Sequence, residues 1–260
     1  MSQQVAALER ELGTRLLDRA PGGLRLTPAG AVLLEHADAI ADRLGLAEAQ
    51  LAEIAGAERS TLRIGAFPTA LASLVPAAVA RLEGARVIVE EDASGALAER
   101  VRSGALHLAV TFQDAAEPRR EPAGLERRDL LREAFLVALP PSHPLEEQAA
   151  VELAELAGEG WTAPSTDGII VRACRAAGFE PRLTSITRDQ LAIRALIARG
   201  LAVTLVPSLL AEAFRDFALR PLGGGSPERD VYALLPPGGR HPLAEPAFAA
   251  LGAAVDDLRG

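Results

Sequence analysis

The apolar positions of this chain change their period twice. Val5, Leu8 and Leu12 fall at spacings of three and four, one helical stripe that Gly13 ends. Leu16-Leu17 and Leu24-Arg25-Leu26 then bracket Pro21-Gly22-Gly23, which predicts a short two-stranded hairpin with a glycine turn. Thr27-Pro28 opens a longer helix, with threonine as the cap and proline at the first helical position. Along it Leu33, Ala37, Ile40, Leu44, Ala47, Leu51 and Ile54 step alternately by four and three, an unbroken heptad seam that ends near Gly56. Acids and Arg43 fill the positions between. The seam predicts a helix that pairs with a partner helix over 28–58; the other reading is a long helix lying on its own globular domain.

From Thr61 the pattern becomes alternating strands and helices. TLRIGAF, RVIVEED and LHLAVTF read as strands, with helices PTALASLVPAAVARLE and SGALAERVRSG between them. The order returns in GWTAPS, RLTSIT and LAVTLVP, with helices STDGIIVRACRAAGF and TRDQLAIRALIARG. Two β-α-β-α-β units predict an α/β protein with two parallel-sheet lobes. LREAFLVALPPSHPL leads from the first lobe to the second. RDVYALLPP and the helix HPLAEPAFAALGAAVDDLRG lead back. The expected boundaries are 61–140 with 236–260 for lobe I and 141–235 for lobe II. A chain that crosses twice makes a hinge, with a cleft between the lobes.

Composition narrows the class. Of 260 residues 49% are apolar and 24% charged, the balance of a globular protein with real cores. All 27 basic residues are arginine, so Schiff-base and Walker-type lysine chemistry is ruled out. A formal charge of −8 argues against a nucleic-acid surface over the whole molecule but allows a local basic patch. One cysteine, Cys174, forms no internal disulfide and fits a reducing cytoplasm; the chain shows neither a signal-peptide pattern nor an apolar run of membrane-spanning length.

A search for catalysis finds little. His36, His107, His143 and His241 are scattered, without a second ligand at metal spacing, and are expected to be solvated or capping residues. No nucleophile-elbow, dinucleotide or zincin motif occurs. Glu90-Glu91-Asp92 reads as a solvated turn. In parallel α/β lobes, ligands bind beyond the carboxyl ends of strands, where helices begin. The residues at those points include Phe67, Thr69, Ser94, Thr111, Ser165, Thr166 and Thr187. Singly each hydroxyl is an ordinary cap. Together, around one cleft, they point to a small polar ligand, a carboxylate being the natural guess, although no arginine is clearly placed to clamp it and Asp167 would equally meet an amine.

With these segments in view the chain resembles the LysR-type transcriptional regulators over essentially its whole length. SQQVAALERELGTRLLDR is similar to the end of the family's DNA-reading helix, and GGLRLTPAGAVLLEHA to its wing and the start of its dimer helix. LRIGAFPTALASLVPAAVARL, SGALAERVRSGALHLAV, VALPPSHPL and ARGLAVTLVPSLLA are similar to its effector domain. The resemblance implies a partial winged helix-turn-helix over 1–27, made of the end of the reading helix and the wing, then a dimerisation helix, and a two-lobed effector domain like periplasmic binding proteins. It implies promoter DNA as partner where the family's first two helices are present, a small-molecule effector with no other cofactor or metal, and a homo-dimer or tetramer. By the same resemblance Ser2, Gln3, Gln4 and Arg25 lie on the DNA side, and Thr69, Ser94, Ser165, Thr166 and Thr187 near the effector.

The family carries two helices and the first turn of the reading helix ahead of the residue where this chain starts, and usually an apolar residue at the position of Met1. The expected explanations are a GTG valine codon read as the start, a shortened gene, or a chain cut from a longer one. A solute-binding protein of the same two-lobed fold is the alternative function.

Overall fold

The computed structural model describes residues 3–20, 23–34, 36, 37, 40, 44, 47, 61–237 and 241–259. Helix α1 (Gln3–Leu12) ends at Gly13, whose φ of +66° is a backbone conformation that glycine adopts without strain. Strands β1 (Leu17–Ala20) and β2 (Gly23–Leu26) form the expected hairpin, with Leu17 opposite Leu26. The Glu9 carboxylate accepts the Leu16 and Leu17 N–H groups at 2.7 and 3.2 Å, fastening α1 to the hairpin. Helix α2 starts at 28 and includes 28–34, 36, 37, 40, 44 and 47. Thr27 caps it: its Oγ1 accepts the Gly30 N–H at 3.0 Å and donates to the Arg15 carbonyl at 2.7 Å. Of the heptad seam, Leu33 is half-buried and Ala37, Ile40, Leu44 and Ala47 are exposed; Leu51 and Ile54 lie outside the described residues.

Lobe I is built from β3 (Thr61–Ala66), β4 (Arg86–Glu91) and β5 (Leu108–Asp114), with β3 central and parallel to both neighbours. Helices α3 (Pro68–Leu71), α4 (Leu74–Val79) and α5 (Ser94–Ser103) connect them. The single helix expected over 68–83 breaks at Ser73, because Pro76 has no N–H and would press on the carbonyl four residues back. In the first turn of a new helix that loss costs nothing, so α4 starts at Leu74.

Strand β6 (Glu126–Leu139) serves both lobes. Residues 126–134 pair antiparallel with β11 (Glu228–Leu235), and 135–139 pair with β9 (Thr204–Pro207) and β10 (Ala218–Arg220). Lobe II adds β7 (Gly160–Ala163), α6 (Ile169–Ala176), β8 (Arg182–Ile186) and α7 (Gln190–Ala198), with β7 parallel to β8. The lobe boundaries therefore fall near 134 and 228, not at 140 and 235. β11 also pairs with β5, and Val231, Ala233 and Leu235 pack in one core with Leu62, Ile64 and helix α8 (Ala244–Arg259). Pairing register, invisible to local pattern, decides this. Lobe II closes around Trp161, fully buried, whose Nε1 donates to the Leu156 carbonyl at 3.2 Å.

Three histidines expected to be solvated or capping are buried, and each uses Nδ1 to accept a backbone N–H: His107 from Arg63, His143 from Leu145 and His241 from Leu243. The His107 and His241 rings stack at 4.3 Å, joining β5 to the entry of α8. Burial first, then the neighbouring His241 and Arg63, lower His107 from 6.5 to about 4. The fold thus holds the neutral ring. Its contribution is complete above the ordinary histidine value and is lost as pH falls from about 6.5 to about 4. Urea unfolding of the wild type is expected to lose about 3 kcal/mol across that window beyond the loss shown by a His107→Gln variant; equal losses would refute the assignment.

Candidate functional site

The lobes face each other across a cavity of about 760 Å³, within the range of sites that enclose small organic ligands. It opens beyond the carboxyl ends of β3, β5 and β7, where strands give way to loops and helices. Lobe I contributes Phe67, Thr69, Ser94 and Phe112; lobe II contributes Ser165, Ile170, Leu205 and Val206.

Its base is an ion pair. Arg229 on β11 and Glu133 on β6 are 4% and 3% exposed, and both Nε and Nη2 of the arginine lie 2.7 Å from Glu133 Oε1. Nη2 also donates to Thr69 Oγ1 at 2.7 Å. Glu133 Oε2 accepts the Leu209 N–H at 2.8 Å and the Ser208 hydroxyl at 3.2 Å. Phe67, Phe112 and Phe135 stand 4.8, 4.8 and 5.4 Å from the guanidinium carbon and face it with their rings. Burial lowers the Arg229 pKa and Glu133 opposes that shift; arginine's ordinary value is so high that the group stays charged.

The mouth carries a second contact between lobes. Arg172 on α6 donates from Nη2 and Nε to Asp114 Oδ2 at the end of β5, at 2.6 and 3.2 Å, and from Nη1 to the Asp167 carbonyl at 2.7 Å. Around it Arg102 pairs with Glu99, and Arg120 with Glu117. Asp92 also lines the cavity and its Oδ1 accepts the Ala93 N–H at 2.7 Å; Glu90 pairs with Arg100 and Arg63, and Glu90 and Glu91 belong to β4 and not to a turn.

Of the seven residues expected around the ligand, Phe67, Thr69, Ser94 and Ser165 line the cavity. The other three do not. Thr111 sits inside β5 opposite Tyr232, one residue before Phe112, so its side chain takes the other face of the strand. Thr166 is exposed on the loop ahead of α6. Thr187 Oγ1 accepts the Asp189 N–H at 3.1 Å, and its neighbours Arg188 and Gln190 reach the cavity instead. Nor are the hydroxyls helix caps here: Ala93 and Gly168 hold the cap positions of α5 and α6, and Ser94 Oγ makes no hydrogen bond among the described residues.

The arginine that pattern reading missed is Arg229. A signal existed. Arg229, Val231, Ala233 and Leu235 share one face of β11, and Leu131, Glu133, Phe135, Val137 and Leu139 share one face of β6. Opposite charges at apolar positions of two strands mark a buried pair.

At the other end of the chain Gln4 is exposed on α1 and Arg25 is exposed on β2 opposite Asp18. Gln3 lies in α1, and Ser2 is outside the described residues. Among the described residues no helix is long and apolar enough to cross a membrane, and no cluster of His, Cys, Asp and Glu is arranged to hold a metal.

Fold and cavity together define a two-lobed ligand-binding domain carried behind a helix, a β-hairpin and a second helix. The family model of the LysR substrate binding domain matches residues 55–256, and that of the bacterial regulatory helix-turn-helix protein, lysR family, matches 1–31. The "Small neutral protease regulatory protein" of Streptomyces coelicolor is 32% identical over 266 residues, 98% of this chain and 82% of that relative. A "Probable hydrogen peroxide-inducible genes activator" of Mycobacterium avium is 33% identical over 80% of this chain and 68% of its own length. Among solved structures CbnR, a LysR family transcriptional regulator, superposes with a TM-score of 0.69 at 23% identity, covering 97% of this chain and 88% of its own. The chain belongs to the LysR family of transcriptional regulators, proteins with a helix-turn-helix and an effector-binding domain.

Removing one partner of the buried pair strands the other. A Glu133→Ala variant is expected to lose about 3–5 kcal/mol in urea unfolding, and the double variant Glu133→Met, Arg229→Met to regain most of it. A loss under about 1 kcal/mol in the single variant would show that the pair does not brace the fold.

Proposed function

We propose that this regulator is cytoplasmic, has no enzymatic activity, binds promoter DNA through the α1–hairpin segment, pairs through α2, and is controlled by a small anionic effector in the interlobe cavity. The observation that carries the reading is the position of Thr69. It lines the cavity and holds Arg229, which holds Glu133, which in turn receives the Ser208–Leu209 turn of lobe II. An occupant that displaces Thr69 thus acts on both lobes at their hinge. Ile40 and Leu44, exposed at 68% and 61%, support pairing through α2, because large apolar groups at heptad spacing favour a partner helix.

Sensing by thiol oxidation is a different mode, and the structure of the cysteine argues against it. Cys174 is fully buried on α6, and burial pushes its thiol up to about 12, where almost no thiolate exists at neutral pH. Treatment with hydrogen peroxide is therefore expected to leave DNA binding unchanged, and Cys174→Ser to behave as wild type. A peroxide response abolished by Cys174→Ser would overturn this.

DNA binding is tested by mobility shift on the region flanking the protein's own gene. Binding is expected at low salt and to weaken steeply as salt rises. If Arg25 of the hairpin meets a phosphate, Arg25→Ala reduces the slope of log K against log salt by about 1. Absence of binding at low salt would remove regulation through DNA from the reading.

A further inference from the structure

The guanidinium of Arg229 offers five N–H donors. Nε donates to Glu133 Oε1 and Nη2 to Thr69 Oγ1, and Nη2 also stands 2.7 Å from Glu133 Oε1. Both N–H groups of Nη1 have no hydrogen-bond partner among the described residues, although the side chain is 5% exposed and lines the cavity. A charged donor edge that a largely buried side chain turns to a cavity suits an acceptor, and a negatively charged one is the strongest.

The other charges on the cavity wall are largely matched. Arg102, Arg120 and Arg172 pair with Glu99, Glu117 and Asp114. Arg188 on the lobe II side is the further lining arginine, and its guanidinium has no acid partner among the described residues. Two open cationic edges, one at the hinge and one on lobe II, therefore face the cavity.

The surroundings of Arg229 set the rest of the ligand. Phe67, Phe112 and Phe135 surround the guanidinium, and Ile170, Leu205 and Val206 line the lobe II side. Hydroxyls on the part of a ligand that meets these side chains would go unpaired, a cost that apolar groups avoid.

We infer that Arg229 Nη1 is the anion anchor of the cavity and that the effector is a carboxylate with an apolar body of aromatic or branched-chain size. The inference rests on the reading of this cavity as the effector site. The carboxylate takes the Nη1 edge, the apolar body packs on the phenylalanines and the lobe II aliphatics, and Arg188 closes over the anionic end from the other lobe.

The test is a thermal-shift and calorimetric comparison on the full chain with benzoate, phenylacetate and 3-methylbutanoate as probes. Benzamide serves as the neutral isostere and malonate as an anion without an apolar body. The apolar carboxylates are expected to raise Tm by several degrees at saturating concentration, while benzamide and malonate leave it unchanged. Arg229→Lys keeps a cation beside Glu133 and removes the two Nη1 N–H groups. It is expected to weaken benzoate binding at least about tenfold with circular dichroism unchanged. Arg188→Gln leaves the Glu133–Arg229 pair itself intact, is expected to weaken benzoate binding less, and covers the case in which the lysine variant fails to fold. A benzamide shift equal to that of benzoate, or affinities unchanged in both variants, overturns the inference. Ile170→Trp, which fills the cavity, separates the two levels. If a polar metabolite binds the wild type and loses binding in Ile170→Trp, the effector site stands and the ligand class falls. If neither these probes nor polar metabolites bind, both fall.

Discussion

Glu133 and Arg229 set the constraint on which the rest of the structure depends. They stand on the two strands by which the chain leaves lobe I and returns to it. Both charges are withdrawn from water, a cost that close pairing and hydrogen bonds must offset. The offset is nearly complete on the acid: one oxygen takes Arg229, the other the Ser208 hydroxyl and the Leu209 N–H. Hydrophobic residues of similar size could fill the space, but they would not fix the Ser208–Leu209 turn or Thr69 in one geometry. Directional bonds at the hinge give both lobes a common reference point.

The two ion pairs at the junction of the lobes, one within lobe I at the hinge and one across the mouth, differ in kind. At the base, the pair is dry and walled by three aromatic rings. At the mouth, Arg172 is 44% exposed where it meets Asp114, and such a pair holds weakly because water and salt screen it. Lobes fixed at the base and lightly tied at the rim can separate by bending β6 and β11 near their crossings without exposing either core. That is the mechanical condition for a cavity that admits and then encloses a ligand.

Much of this was legible from residue order, and the rest failed for identifiable reasons. Local signals were sufficient for Gly13, for the pairing of β1 with β2 and for the Thr27 cap, because each rests on neighbours a few residues away. The break at Ser73 was hidden because alanine and leucine continue the helical pattern through it, while Pro76 alone carried the stop. The lobe boundary was misplaced because strand alternation says which side chains are buried and not which strand they pair with, so β11 could not be told from a lobe II strand. Strand ends were located well enough to bring Phe67, Thr69, Ser94 and Ser165 to the cavity. Which face a residue took near the end of β5, and which residues of the loop before α7 turned inward, depended on tertiary packing. Arg229 and Glu133 were readable in principle, as charges on apolar faces, but only by comparing two segments about 100 residues apart.

The shared core of lobe I has one further consequence, for the order in which the protein is made. Leu62, Ile64, Val231 and α8 pack together, so the first lobe to be synthesised is the last to be completed. Lobe II has all its strands once β10 has left the ribosome, whereas β3, β4 and β5 must wait for β11 and α8. During synthesis the inserted lobe closes first and the enclosing lobe afterwards, leaving the apolar face of β3 and β5 exposed to chaperones, or to aggregation, until the end of the chain arrives.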